Sequence, residues 1–520
     1  MERREFIKVT GAAAAMATCD AALAQTPADR PNLLVIHTDE QNFRTLGCYR
    51  KLMPKDRAQM WGATVCETPN IDWLADNGAV ATRFYATTPV CSPSRGAFAS
   101  GRYPQNNGVL NNSGTLAENT ITFAEVLRKA GYATGYAGKL HIDGNGRPNW
   151  APERKFGFTD NRYMFNRGHW KQLEDTPEGP RVIDSDGYSV DGANAENFTT
   201  DFLADKTVDF INEHKDEPFC YMLSIPDPHG PNTVRAPYDT MYTDKPFEAP
   251  ATMNKSTEDL PYWGQKHEAL KNGFRPDSMA QYFGMVKCID DNVGKILTAV
   301  RKAGLIEKTI ILFTSDHGDM CFEHARINKS IPFEASAKVP FVLYSPGQIG
   351  SGLVVDEALG CVDFMPTILG LMGVKSPGTE EGRNAAALFT DKAPADWNDI
   401  AVFRSSGSGD GWLAAATQRH KLVVTSDSSP WLFDMEIDPH ELKNFFADPA
   451  SREIVRSLSA QLLDYGTTHK DPRIKLSRIK SDLTWGAEGT APYASDEPDN
   501  NQPKARAKKK KRKRDEADVE

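Results

Sequence analysis

Asn32-Leu33-Leu34-Val35-Ile36-His37-Thr38 runs directly into Asp39-Glu40. A continuous apolar run of this length reads as a strand buried on both faces, and it delivers two carboxylates at its C-terminal edge. That edge is where open α/β sheets place their sites. Working outward, Phe219-Cys220-Tyr221-Met222-Leu223-Ser224-Ile225 and Thr309-Ile310-Ile311-Leu312-Phe313-Thr314-Ser315 repeat the pattern. Each follows a long helical stretch and ends in polar residues. Thr122-Phe123-Ala124-Glu125 opens a helix with a capping box that stops at Gly131, and Tyr132 to Gly138 returns as a strand. Such alternation predicts an α/β fold with a largely parallel sheet and helices on both faces.

The strand ends also carry the chemistry. Asp39 and Glu40 follow one strand and Asp316-His317 another, so four oxygen or imidazole ligands can converge at one sheet edge. Carboxylate-rich sets suit hard cations such as calcium or magnesium. Taken singly, each acid is as well explained as a cap or turn residue, and it is the pairing on two strand ends that favours a metal. Cys91-Ser92-Pro93-Ser94-Arg95 places a cysteine at an expected helix start with an arginine four residues on. A thiol beside a helix N-terminus and a cation has a depressed pKa and reads as a nucleophile or metal ligand, the alternative being a surface turn.

The wider chain sets the frame. At 520 residues it exceeds the size at which one core stops growing, so a large domain plus a smaller one is expected. A hydrophobic fraction of 40%, a charged fraction of 25% and a mean hydropathy of -0.51 are those of a globular protein, not a fibre or membrane bundle. Residues 143–195, rich in Gly, Asn, Asp, Arg and Trp without period, suit long loops over a site. Asp363 to Leu369 reads as a helix that Asp363 begins, and 378–398 as a linker. A smaller domain over 395–470 is expected, with strands in Trp412–Thr425 and Trp431–Asp434 and a helix over Arg452–Tyr465.

The ends differ from the body. The N-terminus, Met1-Glu2-Arg3-Arg4-Glu5-Phe6-Ile7-Lys8 with an Ala-rich stretch after it, reads as a twin-arginine export signal over 1–24, too short to span a bilayer. It implies a periplasmic or extracellular protein, with lipidation at Cys19 as the minority reading. From 486 to 520 apolar content falls and a disordered tail is expected, ending in Lys508-Lys509-Lys510-Lys511-Arg512-Lys513-Arg514. The net charge of -9 hides a terminal segment, 504–520, of +5 on a remainder of -14. Export argues against nucleic acid as the tail's partner, which leaves polyanion binding outside the cytoplasm or simple solvation. Eight cysteines with no C-x-x-C pair make neither a disulfide scaffold nor a zinc site. Some of the remaining thiols pair after export, or all stay buried and free.

The cysteine motif together with Thr68-Pro69-Asn70-Ile71-Asp72-Trp73-Leu74-Ala75 and Gly101-Arg102-Tyr103-Pro104-Gln105-Asn106 resembles the type I sulfatases of the alkaline phosphatase superfamily. The resemblance extends from about residue 30 to about 450. It implies an alkaline-phosphatase-like sandwich, with a large mixed, mostly parallel sheet in a catalytic domain over 30–375 and a small C-terminal antiparallel sheet. It also implies that Cys91 is oxidised to formylglycine by a formylglycine-generating enzyme, and that Asp39, Glu40, Asp316, His317 and modified Cys91 hold the cation, Ca2+ or Mg2+. Glu40 stands where a second aspartate is usual, and His317 where asparagine is common. Gly131 to His141 resembles the family's second signature, with Leu140 in place of a frequent tryptophan, which implies that Lys139 and His141 face the nucleophile. Pro228-His229-Gly230-Pro231 looks like the segment whose histidine serves the leaving group. Asn328-Lys329-Ser330 resembles that of the second sulfate-binding lysine.

The implied reaction uses the hydrated aldehyde to attack sulfur, forming a covalent sulfo-enzyme while His229 protonates the departing alcohol. The second hydroxyl then expels sulfate as His141 takes its proton. Arg95 and Lys139 would hold the diol, and Lys139 and Lys329 would clamp sulfate oxygens. Asp319 and His324 stand near the metal pair in sequence, as outer-shell, substrate-facing or loop-packing residues. A sulfated carbohydrate is the expected substrate. The competing expectations are a phosphonate monoester or phosphodiester hydrolase of the same superfamily, and an unmatured, noncatalytic glycan-binding protein.

Overall fold

The computed structural model describes residues 30–183, 186–254, 262–264, 273–390 and 396–494. The central sheet is built from β1 (Asn32–Asp39), β2 (Ala79–Ala81), β3 (Ala133–Lys139), β4 (Asp160–Phe165), β5 (Phe219–Pro228), β6 (Thr309–Ser315), β7 (Phe341–Tyr344) and β8 (Leu353–Val355). Its order is β8-β2-β7-β6-β1-β5-β3-β4. β1 pairs in parallel with both β5 and β6, and β7 runs antiparallel between β6 and β2. The sheet is therefore mixed and mostly parallel.

Period-two alternation explains how one apolar run serves two cores. Leu33, Val35, Cys220, Met222, Ile310 and Leu312 face one layer. Leu34, Ile36, Tyr221, Leu223, Ile311 and Phe313 face the other. The helices that cover these faces include α1 (Pro69–Asp76), α2 (Cys91–Ser100), α3 (Phe123–Lys129), α4 (Thr199–Glu213), α5 (Pro276–Lys302) and α6 (Cys361–Leu371). Thr122 and Glu125 form the expected capping box on α3. Phe98 of α2 stacks on Phe364 of α6 with centroids 3.8 Å apart, which fixes α2 beneath the sheet edge.

A second sheet follows the linker, with β9 (Ala401–Arg404), β10 (Trp412–Ala416), β11 (His420–Thr425) and β12 (Trp431–Asp434) in sequential antiparallel order. α7 (Arg452–Thr468) and α8 (Ser477–Glu488) pack over it. Leu413, Val424, Val455 and Leu483 belong to the same apolar cluster as Leu33 and Phe98, so the core continues across the boundary. Tyr85 stacks on Phe403, and Arg404 N donates to Thr87 O.

Three expectations change. Within 143–195, β4 and a hairpin of Leu173–Thr176 with Gly179–Val182 replace part of the expected loop. β4 is the sheet's edge strand, and its Asp160-Asn161-Arg162 start carries no apolar signal. α8 and Tyr493, whose hydroxyl donates to Asp482, extend the packed chain beyond 470 and into the segment expected to be disordered. The tail from 495 and the signal segment 1–24 lie outside the described residues. Among the described residues all seven cysteines are free and buried. No helix there is long and apolar enough to cross a membrane.

Candidate active site

Asp39 ends β1, Asp316 and His317 follow β6, and Lys139 ends β3, so three parallel strands deliver their polar ends to one edge. The register with β5 shifts between Thr38 and Asp39, where Pro226 and Asp227 of β5 are the extra residues. Cys91 is the first residue of α2, with extended Val90 before it. One turn on, buried Arg95 binds the edge together. Its Nε donates to Asp316 Oδ2 at 2.8 Å and Nη2 to Asp39 Oδ2 at 3.1 Å. Nη1 donates to Lys139 O and to Ser224 Oγ at 2.7 and 2.8 Å.

These bonds hold the outer carboxylate oxygens and leave Asp39 Oδ1 and Asp316 Oδ1 turned toward His317 Nε2, at 3.6 and 3.5 Å. His317 Nδ1 donates to Gly318 O, so the ring, once neutral, would present the lone pair of Nε2 to the same point. Cys91 Sγ lies 3.2 Å from that nitrogen. One ligand atom from each of Asp39, Cys91, Asp316 and His317 lies within 4.8 Å of the others, all four residues buried. Four converging electron-rich atoms fit a cation, and the two carboxylates make it a hard one. Without the ion, Asp316 and Cys91 overcome burial and raise His317 to about 9. Burial and Asp39 push the Cys91 thiol up, but Lys139, Lys329 and His317 outweigh them and its pKa is lowered.

Glu40 is not among these four. Held at a φ of +64°, its carboxylate turns instead to Lys329 Nζ at 3.0 Å and His229 Nε2 at 2.9 Å. Its Oε1 is buried without a partner. Lys139 Nζ lies 2.7 Å from Asp39 Oδ2 and 3.9 Å from Cys91 Sγ. His141 is buried with no hydrogen-bond partner at either ring nitrogen, and burial together with Lys139, Arg167 and Arg95 holds its pKa well below the usual histidine range. Asp319 accepts from Cys321 N, and burial and Glu40 raise it to about 7. His324 stacks on Phe333 away from the four ligands, and Asp363 accepts from Gly360 N in the first turn of α6.

His169 was not anticipated. Its Nε2 sits 2.5 Å from Lys139 Nζ, and its ring stacks on His229 with centroids 3.6 Å apart. Asp39, His169 and His229 form a second group of potential ligands sharing Asp39. A lone histidine in Asn166-Arg167-Gly168-His169-Trp170 has no periodic signal, and only the fold brings it to Lys139. His169, His229 and Lys329 open into a cleft of about 1820 Å³.

A family model described as "Sulfatase" matches residues 31–374, and one described as "N-sulphoglucosamine sulphohydrolase, C-terminal" matches 322–468. The chain is 25% identical to a Bacteroides thetaiotaomicron N-acetylglucosamine-6-O-sulfatase, over 85% of this chain and 87% of that one. A solved structure described as a complex with its substrate D-glucosamine-2-N,6-O-disulfate superposes with a TM-score of 0.69 at 22% identity, covering 85% of this chain and 98% of the other. The phosphonate monoester hydrolase of Agrobacterium radiobacter superposes with a TM-score of 0.67 at 23% identity, covering 86% and 97%. These neighbours share the sheet and its flanking helices.

Proposed function

The chain belongs to the sulfatase family and is a sulfatase, and from that premise we propose that it removes sulfate from a sulfated carbohydrate at Cys91, matured to formylglycine. The observation that carries this reading is the convergence of Asp39, Asp316 and His317 on the buried Cys91 at the N-terminus of α2. Asp39, Asp316, His317 and residue 91 would hold a divalent cation, calcium or magnesium. When bound, it supplies positive charge that draws in sulfate oxygens. The formyl group, once hydrated, supplies the nucleophilic hydroxyl that a thiol lacks.

The remaining groups then have defined tasks. Arg95 keeps both carboxylates ionised and aimed, since its guanidinium occupies their outer oxygens. Lys139, close to both Asp39 and Cys91, and Lys329, held by Glu40, present ammonium groups to the sulfate from two sides. His229, on the wall of the open cleft and oriented by its bond to Gly230 O, gives its proton to the departing alcohol. His141, kept neutral by burial among cations, takes a proton at a ring nitrogen on the closed side of the site. The reading includes export, carried by residues 1–24.

Mass spectrometry of the Cys91 peptide, after co-expression with a formylglycine-generating enzyme, tests this together with sulfate release from a panel of sulfated glycans. An aldehyde at position 91 and sulfate release that falls about 10⁴-fold or more in Cys91→Ala are expected. Modification with turnover of phosphonates or phosphodiesters alone would transfer the chain to the runner-up chemistry. An unmodified cysteine beside a demonstrably active maturase would leave a glycan-binding protein.

A further inference from the structure

Sulfate chemistry at Cys91 leaves buried Lys171 unused. Two short segments, His169-Trp170-Lys171 and Asp227-Pro228-His229, meet at both of their ends. At the cleft end the imidazoles of His169 and His229 stack, with centroids 3.6 Å apart and planes at 5°. At the closed end Lys171 Nζ donates to Asp227 Oδ1 at 2.7 Å. Lys171 is fully buried and Asp227 is 1% exposed, so this ion pair lies out of water. Met285 Sδ lies 3.3 Å from the ammonium, and Thr200 Oγ1 donates to Asp227 Oδ2 at 2.9 Å.

The sheet gives Asp227 no ladder partner. Pro226 and Asp227 are extra residues against β1, and pairing of β5 with β3 ends at Ser224. The first turn of α4 takes over the anchoring. Thr200 binds Asp227, Asp201 accepts from Arg235 at 2.7 and 2.8 Å, and Thr199 N donates to Lys171 O. The chain that carries His229 is thus tied down on both sides of the histidine, at 227 and at 235. Stability alone does not call for charge at this point, since a well-packed apolar pair of similar volume serves a core as well or better. A satisfied buried ion pair adds instead a fixed distance and direction between the segments that carry it.

We propose that Lys171 and Asp227 are positioning residues for His229: their ion pair holds the stacked imidazoles of His169 and His229 in place, so that the proton from His229 reaches the departing oxygen of the sugar. This rests on the reading of His229 as the proton donor. Neither Lys171 nor Asp227 is among the described residues that line the cleft, so the pair acts through the two histidines. A general acid works only within hydrogen-bond reach of the atom it protonates. Misplacement by about 1 Å costs on the order of 10²-fold in rate.

Steady-state kinetics on the matured full-length enzyme tests this, with aldehyde and metal content counting the active sites. The substrates are a sulfated sugar that the enzyme hydrolyses and 4-nitrophenyl sulfate, whose phenolate leaves without a proton. Lys171→Met combined with Asp227→Leu exchanges the ion pair for apolar groups. In that double variant kcat per site on the sugar is expected to fall about tenfold or more, with KM within about twofold and the aryl ester nearly unaffected. Thr200→Val, which keeps the volume and removes one bond to Asp227, carries the same test if the double variant does not fold, with a selective loss of about fivefold. His229→Ala sets the scale with a larger loss of the same selective kind. Unchanged kcat per site, or equal losses on both esters, overturns the positioning role when His229→Ala is selective. A His229→Ala enzyme that loses both esters alike, or an unmutated enzyme that releases no sulfate from any sugar, overturns the reading of His229 instead.

Discussion

Arg95 Nε and Asp316 Oδ2 are 2.8 Å apart, fully buried and separated by 221 residues of chain. The same guanidinium reaches Asp39, so one side chain on α2 ties together the ends of β1 and β6. Removing it in Arg95→Ala leaves two carboxylates facing each other out of water. Breaking a buried pair in this way costs about 3–5 kcal/mol. Urea unfolding measures the loss, and added calcium should recover part of it because the cation replaces some of the missing charge. A loss under about 1 kcal/mol would mean that the carboxylates do not depend on Arg95.

Metal removal should act on both activity and stability. Dialysis against a chelator is expected to abolish sulfate release and to lower the unfolding midpoint. A cation present at a hundred times its dissociation constant contributes about 3 kcal/mol to the folded state. Asp316→Asn should remove most of the bound metal as measured by elemental analysis. Full metal occupancy in that variant would exclude Asp316 as a ligand.

Asp290 on α5 offers a pH test far from the cleft. It accepts from Asn70 N, Ile71 N and Asn70 Nδ2 at 2.9–3.0 Å, anchoring the start of α1, with Lys287 Nζ 3.5 Å away. Burial outweighs those bonds and raises its carboxyl from 3.8 to about 6. The folded chain therefore holds this proton more tightly than the unfolded chain does. The associated stability is complete below pH 3.8 and is lost as pH rises through 6, about 3 kcal/mol in all. Asp290→Asn should improve relative to the unmutated protein by that amount between pH 4 and pH 7 in denaturant titrations. A constant difference across the range would show that the carboxyl titrates normally.

Lys421 on β11 ties the small sheet to the short helix Glu334–Ala337 that precedes β7. Its buried ammonium meets Glu334 at 3.0 Å and also pairs with Glu441. Lys421→Met should destabilise the protein by about 3–5 kcal/mol, since both acids remain buried without it. Adding Glu334→Gln and Glu441→Gln should recover much of that loss in thermal unfolding. A triple variant less stable than Lys421→Met would point to packing, not charge.

The strands that build the site were legible because each is apolar on both faces. β1, β5 and β6 stand in the sequence as unbroken runs, and the capping box marked α3. The edge strands β8 and β4, and β2 beside β8, gave no such signal. β2 and β8 are three residues each, and β4 begins with three polar ones. Asp39, Cys91, Asp316 and His317 could be assembled from strand ends and one motif. Glu40 could not, because the positive φ that follows the register break at Asp39 decides which way its carboxylate turns. His169 and Lys171 belong to a loop whose course depends on Gly168 and Gly187 packing against the Trp170 indole, a relation without period or spacing.

The burial of Cys91 sets a timetable for its synthesis. The thiol is covered in part by His317, 226 residues further along the chain. At roughly 5–20 residues per second, translation needs about 10 to 45 seconds to supply that residue. Until then neither β6 nor the Asp316 clamp exists, and the segment around Cys91 remains reachable by a protein-sized oxidase. Once the last strand closes, that access ends, so under the proposed maturation of Cys91 the fraction of active enzyme would be set by a race between oxidation and folding on the nascent chain. Slowing elongation downstream of Cys91 should raise that fraction without altering a single residue of the finished site.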